Sequence, residues 1–324
     1  KNFALLEIGD LILTDASEDY KGIATPAVIR ENTSFDIVAG LHTIALRPKN
    51  IDPMFLYYLI KAPTFRKYGY KVGTGMKVFG ISSSKVLDFT TYIPKNDETK
   101  LVSSFLEKID YALDLHQRKL DQLKELKKAY LQLMFPKKDE TVPQVRFANF
   151  EENWELCKLE NIIEKQIKGK AKVENLCNGS VEYLDANRLN GGKPIYTKAL
   201  PDVSERDIII LWDGSKAGKV YYGFKGVLGS TLKAYQLKEC ANSQFIYQQL
   251  LDNQNNIYNN YRTPNIPHVV KNFSSIFPIW MTSFEEQSQM ADILSNLDNR
   301  IILQQNLTDT MISLKKSYLQ NMFI

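Results

Sequence analysis

The sequence predicts an α+β protein with two small domains, each followed by a long helix, and with the two helices paired as an antiparallel coiled coil. Three observations support this prediction: an internal repeat, a seven-residue pattern of apolar positions, and short apolar segments separated by turn residues. The repeat is clearest at LKKAYLQLMF (residues 126–135), which returns as LKKSYLQNMF (residues 314–323) with eight of ten positions identical at an offset of 188. This period is too long for a solenoid, so we infer a duplicated unit.

The repeat continues toward the N-terminus. Residues 101–135 and 289–323 share 13 identities in 35 positions without a gap. The further landmarks are Ile81 with Val269, Phe89 with Phe277, residues 55–57 with 245–247, and residues 10–13 with 207–210. The second copy has the whole segment 143–206 before Asp207, whereas the first has only 1–9 before the matching Asp10. We therefore expect about 55 residues of the first copy to be missing.

Composition restricts the class of protein. With 44% hydrophobic and 24% charged residues, the chain is neither collagen-like nor a low-complexity disordered segment. Its three cysteines form no Cys-x-x-Cys pair or Cys/His cluster, which argues against structural zinc and a disulfide framework and favours a reducing compartment. Without a signal peptide or an apolar run long enough to span a bilayer, we expect a cytoplasmic protein that contacts no membrane. The net charge of +4 permits nucleic-acid binding without indicating it.

Each copy contains short strands followed by a helix. In the second copy we predict strands at 207–212, 219–224 and 232–237, the turn-rich segment 213–218, and a helix over 244–258. In the first copy we predict strands at 10–13, 35–39 and 43–46. The first helix should begin at Asp52-Pro53, because Asp is a good N-cap and Pro suits the first helical position. The predicted divisions are domain 1 at 1–96, helix 1 at 97–136, domain 2 at 137–284 and helix 2 at 285–324.

The long helices show a coiled-coil pattern with steps of four and three residues. The first series is Ile109, Leu113, His116, Leu120, Leu123, Lys127, Tyr130 and Met134, and the second is Leu297, Ile301, Gln304, Thr308, Met311, Lys315, Tyr318 and Met322. A 37-residue helix over 98–134 would be about 55 Å long. That length favours pairing of the two helices over the alternative, in which each packs on its own domain. Antiparallel pairing would give a pseudo-twofold axis and two separated domains, a geometry suited to two half-sites on a duplex.

A search for catalytic motifs finds none. Gly-x-Gly-x-x-Gly after a strand, the Gly-x-x-x-x-Gly-Lys-[Ser/Thr] phosphate loop and the Gly-x-Ser-x-Gly elbow are all absent. We therefore predict no catalytic residue, no metal ligand and no bound cofactor in this chain.

Three features together resemble one protein family. Residues 143–150 (PQVRFANF), followed by Trp154 and Leu159, resemble the opening of a target-recognition domain in the specificity subunits of type I restriction–modification systems. Residues 207–220, with Asp213-Gly214-Ser215 between two strands, are similar to the centre of that domain. The doubled Leu-Lys-Lys-x-Tyr-Leu-Gln-x-Met-Phe signature resembles the ends of the family's two spacer helices. The first copy departs from the pattern, since it lacks the Pro-x-x-Arg-Phe opening and the Asp-Gly-Ser turn.

The resemblance implies a non-catalytic scaffold that reads a bipartite sequence in double-stranded DNA. It implies helices that act as a ruler and hold two methyltransferase subunits, which bind S-adenosylmethionine, together with restriction and translocase subunits. The residues predicted to contact these partners are Lys127, Tyr130, Lys315 and Tyr318.

DNA contacts should come from polar and basic residues on loops. The candidates are Lys216 and Lys219 on loop 212–219, then Tyr261, Arg262, Asn265 and His268 on loop 259–268, Lys77 on loop 74–80 of the first copy, and Lys168 and Lys170 in a short basic run. We expect Trp154 and Phe147 to lie in the core instead. The alternative function is a coiled-coil adaptor for proteins, with degenerate recognition domains.

Overall fold

The computed structural model describes residues 5–19, 21–31, 34–75, 78–137, 139–172 and 179–323. The chain divides into two compact units. Unit 1 consists of residues 1–121 and 303–324, and unit 2 consists of residues 122–302. Within the described ranges, no helix is both long and apolar enough to cross a bilayer.

Unit 1 contains a small antiparallel sheet and a helical layer. Its elements are β1 (Leu11–Thr14), β2 (Ala16–Ser17), β3 (Pro26–Val28), β4 (Thr43–Leu46), α1 (Pro53–Lys61), α2 (Pro63–Val72), β5 (Phe79–Gly80), α3 (Ser83–Leu87) and the first part of α4 (Asn96–Met134). β1 lies between β3 and β4, and β2 pairs with β5. The Asp52 side chain accepts a hydrogen bond from the Phe55 backbone N at 2.8 Å, so the predicted N-cap of α1 is present.

Unit 2 has the same central arrangement with additional strands. Its elements after α4 are β6 (Glu155–Lys158), α5 (Leu159–Ile162), β7 (Ile163–Lys168), β8 (Val181–Leu184), α6 (Ala186–Leu189), β9 (Ile195–Thr197), β10 (Ile208–Leu211), β11 (Val220–Tyr221), β12 (Val227–Leu228), β13 (Leu232–Leu237), α7 (Ser243–Asp252), α8 (Gln254–Asn260), α9 (Phe273–Ile276), β14 (Pro278–Met281) and the first part of α10 (Phe284–Met322). The central sheet has the order β11-β10-β13-β7. β10 is buried at every position, because Ile208 and Ile210 pack in one apolar cluster while Ile209 and Leu211 pack in another.

Equivalent backbone pairings show that the two sheets are copies. Leu13 lies opposite Pro26 and Ile44 in unit 1, as Ile210 lies opposite Val220 and Lys233 in unit 2. The matched aspartates before the first strand are buried in both units. Asp10 accepts a bond from Glu7 N at 2.8 Å, and Asp207 accepts one from Ser204 N at 2.7 Å. The structure therefore confirms the duplication that the sequence predicts.

Three local predictions are corrected. Residues 35–39 form no regular strand: Val38 makes one isolated bridge with Leu5, and Phe35 is 80% exposed. The helix predicted over 244–258 is interrupted at Asn253, which separates α7 from α8. Met322, predicted as the last apolar position of the second coiled-coil series, is exposed. The next residue, Phe323, is buried in its place at the end of α10.

The core of unit 2 explains the Pro-x-x-Arg-Phe and Trp positions of the sequence. Trp154 is 2% exposed, and Phe147 packs against the same cluster, as predicted for core residues. Arg146 donates from Nε and Nη2 to the two carboxylate oxygens of Glu286, both at 2.8 Å, and its partner's carboxylate raises the pKa of Arg146. The pair ties the segment before β6 to the first turn of α10.

The two long helices pair antiparallel within each unit. In unit 1 the contacts run from Phe105 with Tyr318, through Asp110 with Lys315, to His116 with Gln304, so numbers rise along α4 as they fall along α10. In unit 2 Lys127 of α4 pairs with Asp298 of α10. The predicted α+β fold with an antiparallel helix pair is confirmed.

Candidate nucleic-acid interface

Unit 2 brings the two predicted DNA-contacting loops together. Asp213 and His268 form an antiparallel bridge, although they lie far apart in the chain. Gly214 N donates to Pro267 O at 3.0 Å, and Val269 N donates to Trp212 O at 2.9 Å. The predicted loops 212–219 and 259–268 are therefore one continuous surface at the end of β10.

The basic run that begins at the last residue of β7 lies at the same end of the sheet. Lys168 is opposite Lys233 in the β7–β13 pairing. Ser230 N donates to Ala171 O at 3.0 Å, and Trp212 N donates to Thr231 O at 2.7 Å. These bonds join the end of β7 to the turn before β13 and to the start of loop 212–219. We call the surface formed by Lys168, Lys170, Lys216, Lys219, Lys233 and Arg262 the basic face.

Three lysines of the basic face are exposed and have no bonded partner in the described ranges. The side chains of Lys168, Lys170 and Lys216 have no hydrogen bond or ion pair with any residue that the structure describes. Long, solvated lysines without a protein partner suit contacts with phosphate oxygens, which need charge but no fixed geometry.

Two other cations of the basic face are held in place. Lys219 Nζ donates to Asn190 Oδ1 at 2.5 Å and lies 5.2 Å from the centre of the Tyr221 ring. Arg262 donates from Nε to Tyr258 O at 2.7 Å and from Nη1 to Ser215 O at 3.3 Å. The guanidinium also lies over the Tyr258 ring, at 4.8 Å. Arg262 therefore links the two loops, and only part of its donor capacity remains for a ligand.

The remaining predicted residues of this surface differ in their surroundings. The Tyr261 ring packs edge-on against Phe273 and Phe277, with centroids 5.5 and 5.2 Å away, so it supports the loop from the core. His268 Nδ1 lies 3.0 Å from both Thr263 Oγ1 and Ile266 O, which fixes the ring against its own loop. Asn265 is exposed at the loop tip. DNA contact by these three residues stays a prediction.

Lys233 is a residue of the basic face that the sequence reasoning missed. Its ammonium lies 3.3 Å from the centre of the Trp212 ring, an arrangement that stabilises a cation over an aromatic face. Burial and then the positive charge of Lys168 lower the pKa of Lys233. Strand alternation was the available signal, because it places Lys233 on the face opposite Leu232 and Ala234.

Unit 1 repeats the backbone frame of this surface, and its loop 14–19 is acidic where loop 212–219 of unit 2 is basic. Ile81 N donates to Asp15 O at 2.8 Å, the equivalent of the bond from Val269 N to Trp212 O. Residues 14–19 contain three carboxylates and no lysine. His42 Nδ1 lies 3.4 Å from Asp15 Oδ1. Lys77, the cation predicted on the neighbouring loop, lies outside the described residues.

The four residues predicted to contact partner subunits make intramolecular contacts. Lys315 pairs with Asp110 in unit 1, and Lys127 Nζ lies 2.6 Å from Asp298 Oδ1 in unit 2. Tyr318 meets Phe105 edge-on at 5.0 Å, and Tyr130 packs against the core of unit 2. These contacts give the side chains a role in joining the helices, and a contact with partner subunits stays a prediction.

Each helix-joining lysine belongs to a three-residue cluster that occurs once in each unit. Tyr58 Oη donates to Asp110 Oδ2 at 2.8 Å, beside the Lys315 pair. Gln248 Nε2 donates to Asp298 Oδ2 at 2.7 Å, beside the Lys127 pair. Burial, then the hydrogen bond to Asp110, raises the pKa of Tyr58. The cluster of unit 1 joins α4 and α10 to α1, and the cluster of unit 2 joins α4 and α10 to α7.

Among the described residues, no group of His, Cys, Asp and Glu side chains is arranged to hold a metal ion. The chemical content of the candidate site is instead hydrogen-bond donors and positive charge on tethered loops. Such a surface suits recognition of a polyanion.

The fold defines a class of protein: two related α+β units, each of which contains an antiparallel pairing of segments from the same two long helices. Residues 151–311, about half of the chain, match the family model for the type I restriction modification DNA specificity domain. The chain belongs to the specificity subunits of type I restriction–modification systems.

A curated relative supports this assignment. The type I restriction enzyme MjaVIII specificity subunit of Methanocaldococcus jannaschii is 30% identical over 195 residues. The aligned region is 57% of this chain and 45% of that subunit, so the match spans less than half the length of the relative.

Solved structures show the same fold. The S subunit of a type I restriction–modification system from M. genitalium superposes with a TM-score of 0.71 at 16% identity, covering 100% of this chain and 84% of that one. The HsdS subunit from Thermoanaerobacter tengcongensis gives a TM-score of 0.50 at 13% identity, covering 97% of this chain and 80% of that one.

Proposed function

We propose that this chain is the DNA sequence-specificity subunit of a type I restriction–modification system and reads a bipartite target in double-stranded DNA. The basic face of unit 2 is the observation that supports the proposal most directly. Two loops and a basic run that are distant in the sequence converge there, and no acidic partner neutralises the exposed lysines among the described residues.

The proposed subunit performs no chemistry itself. Methyl transfer belongs to two methyltransferase subunits, which bind S-adenosylmethionine, and cleavage belongs to restriction and translocase subunits. This chain binds no cofactor, and it works in the cytoplasm, where these partners and DNA are found. The purified chain alone should transfer no methyl group from labelled S-adenosylmethionine to DNA, and transfer by the isolated chain would contradict this part of the proposal.

The decisive experiment is to map methylated adenines in a host that expresses this chain together with its methyltransferase subunit. We expect methylation at one bipartite sequence, and none in the host that expresses the methyltransferase alone. A protein-binding adaptor with degenerate recognition domains would instead leave methylation absent or independent of sequence.

A second experiment tests the location of the DNA surface. Replacing Lys216, Lys219 and Arg262 with Ala should weaken DNA binding and reduce the slope of log affinity against log salt by about 0.9 for each phosphate that is no longer neutralised. The matched control replaces Lys158, Lys165 and Lys238 with Ala, so it also removes three positive charges. These three lysines are exposed residues of unit 2 outside the basic face. An equal weakening in the two variants would mean that net charge, and not this surface, determines binding.

A further inference from the structure

Asp213 places a carboxylate on loop 212–219, among the cations of the basic face. Asp213 is exposed, whereas the preceding residue, Trp212, is 8% exposed. The backbone of Asp213 is held on two sides, since its N donates to Thr231 O at 3.2 Å and the residue forms a bridge with His268. The next residue, Gly214, has a φ of +116°, which favours glycine and turns the chain sharply after the carboxylate. The Asp213 side chain therefore has a fixed point of attachment at the loop surface.

The Asp213 carboxylate is without a bonded partner in the part of the chain that the structure describes. No hydrogen bond or ion pair joins it to any residue of the described ranges. Its charge raises the pKa of Lys233, against the larger lowering by burial and by Lys168. However, the Lys233 ammonium lies over the Trp212 ring and forms no ion pair with Asp213. Both carboxylate oxygens remain available as acceptors.

The chemistry of DNA leaves few roles for such a group. An ionised carboxylate only accepts hydrogen bonds, and phosphates repel it, so Asp213 opposes binding to the DNA backbone. The donors on DNA bases are amino groups. In the major groove, cytosine presents its N4 amino group without an acceptor beside it, whereas the adenine N6 group is next to the N7 acceptor, which repels a second carboxylate oxygen.

From this placement we infer that Asp213 is a specificity-determining residue, which accepts a hydrogen bond from a cytosine N4 group in the half-site read by unit 2. The surrounding lysines attract the phosphates, and Asp213 selects the base at one position. The inference rests on the proposed function, because it requires that the basic face binds duplex DNA.

The test uses Asp213→Asn in the full chain, assembled with its methyltransferase subunit and presented with a randomised duplex DNA library. An amide donates and accepts, which matches the N6 and N7 groups of adenine. We expect one position of the enriched sequence to change from cytosine to adenine, with the preference for cytosine reduced at least about tenfold and the other positions unchanged. The control Glu239→Gln removes an equal exposed charge beyond the other end of β13 and should leave every position unchanged.

Each outcome decides between defined alternatives. A merely solvated carboxylate would make Asp213→Asn bind all sequences more tightly with the same base preferences, and that result contradicts the inference while leaving the proposed function intact. A change at the same position in Glu239→Gln would also contradict it. If the unaltered assembly enriches no sequence, the proposed function fails, and the role of Asp213 fails with it.

Discussion

The Arg146–Glu286 pair allows a stability prediction with an internal control. The Glu286 side chain is 1% exposed and that of Arg146 is 10% exposed. Replacing Glu286 with Gln keeps the shape of the side chain but leaves the guanidinium charge without a counter-charge. The repeat supplies the control, because Glu98 is the equivalent residue 188 positions earlier, lies in the first turn of α4 and is exposed.

Breaking one partner of a buried ion pair costs about 3–5 kcal/mol of unfolding free energy. Because a tenth of the Arg146 side chain still reaches solvent, we expect the lower end, about 3 kcal/mol, for Glu286→Gln. With a urea dependence of about 2 kcal/mol/M, the midpoint of unfolding should fall by roughly 1.5 M. Glu98→Gln should change the unfolding free energy by less than about 0.5 kcal/mol.

Tryptophan fluorescence during urea unfolding is a selective assay, because Trp154, Trp212 and Trp280 all lie in unit 2. Circular dichroism follows the whole chain and reports the Glu98→Gln control. If Glu286→Gln unfolds within about 0.5 kcal/mol of the unaltered chain, the pair does not stabilise unit 2 and the reasoning is wrong.

Three further predictions concern other contacts of the repeat. Phe323→Ala removes the ring 5.1 Å from Phe55 and should destabilise unit 1 by about 3 kcal/mol, measured by circular dichroism, without moving the tryptophan transition of unit 2. Phe135→Ala removes the ring 5.5 Å from Phe245 and should move the tryptophan transition. Arg47 lowers the pKa of Asp10, so the Asp10 carboxylate stabilises unit 1 above pH 3.8, and this contribution disappears as the pH falls below that value. In urea titrations, Asp10→Asn should therefore lose less stability between pH 5 and pH 3 than the unaltered chain does. Seven residues inserted in each helix, at Leu115 and at Leu303, lengthen each helix by roughly 10 Å. The gap between the two half-sites in methylation maps should then grow by about three base pairs. An active variant with an unchanged gap would show that helix length does not determine the spacing of the half-sites.

The sequence predicts the repeated part of the fold well, because the two copies constrain each other. The heptad positions, the Asp52 cap and strands β1, β10 and β13 follow from local pattern alone. Pairing across long separations does not: nothing local in residues 212–219 indicates that Asp213 will lie beside His268. The strand predicted at 35–39 fails for the same reason, since a strand needs a partner, and among the described residues Val38 forms one isolated bridge, with Leu5.

Site residues were predicted by type, and the structure distinguishes them by surroundings. Lys127 and Lys216 are alike in sequence, yet one is paired with Asp298 inside the helix pair and the other is exposed on a loop. Lys233 was overlooked because it lies in a strand among apolar residues. Only the fold shows that its ammonium reaches the Trp212 ring.

The crossed pairing of the long helices also determines the order in which the units can be completed during synthesis. Thr64 Oγ1 donates a hydrogen bond to Phe323 O, which lies 259 residues later in the chain, and Asp110 pairs with Lys315, which lies 205 residues later. At a translation rate of roughly 5–20 residues per second, those 205 residues take about 10–40 s. Unit 2 ends at residue 302, so all of its residues are synthesised before the part of α10 that belongs to unit 1. Unit 1 is thus completed last, and until then the apolar surface around Phe55 and Leu106 lacks its contact with Phe323.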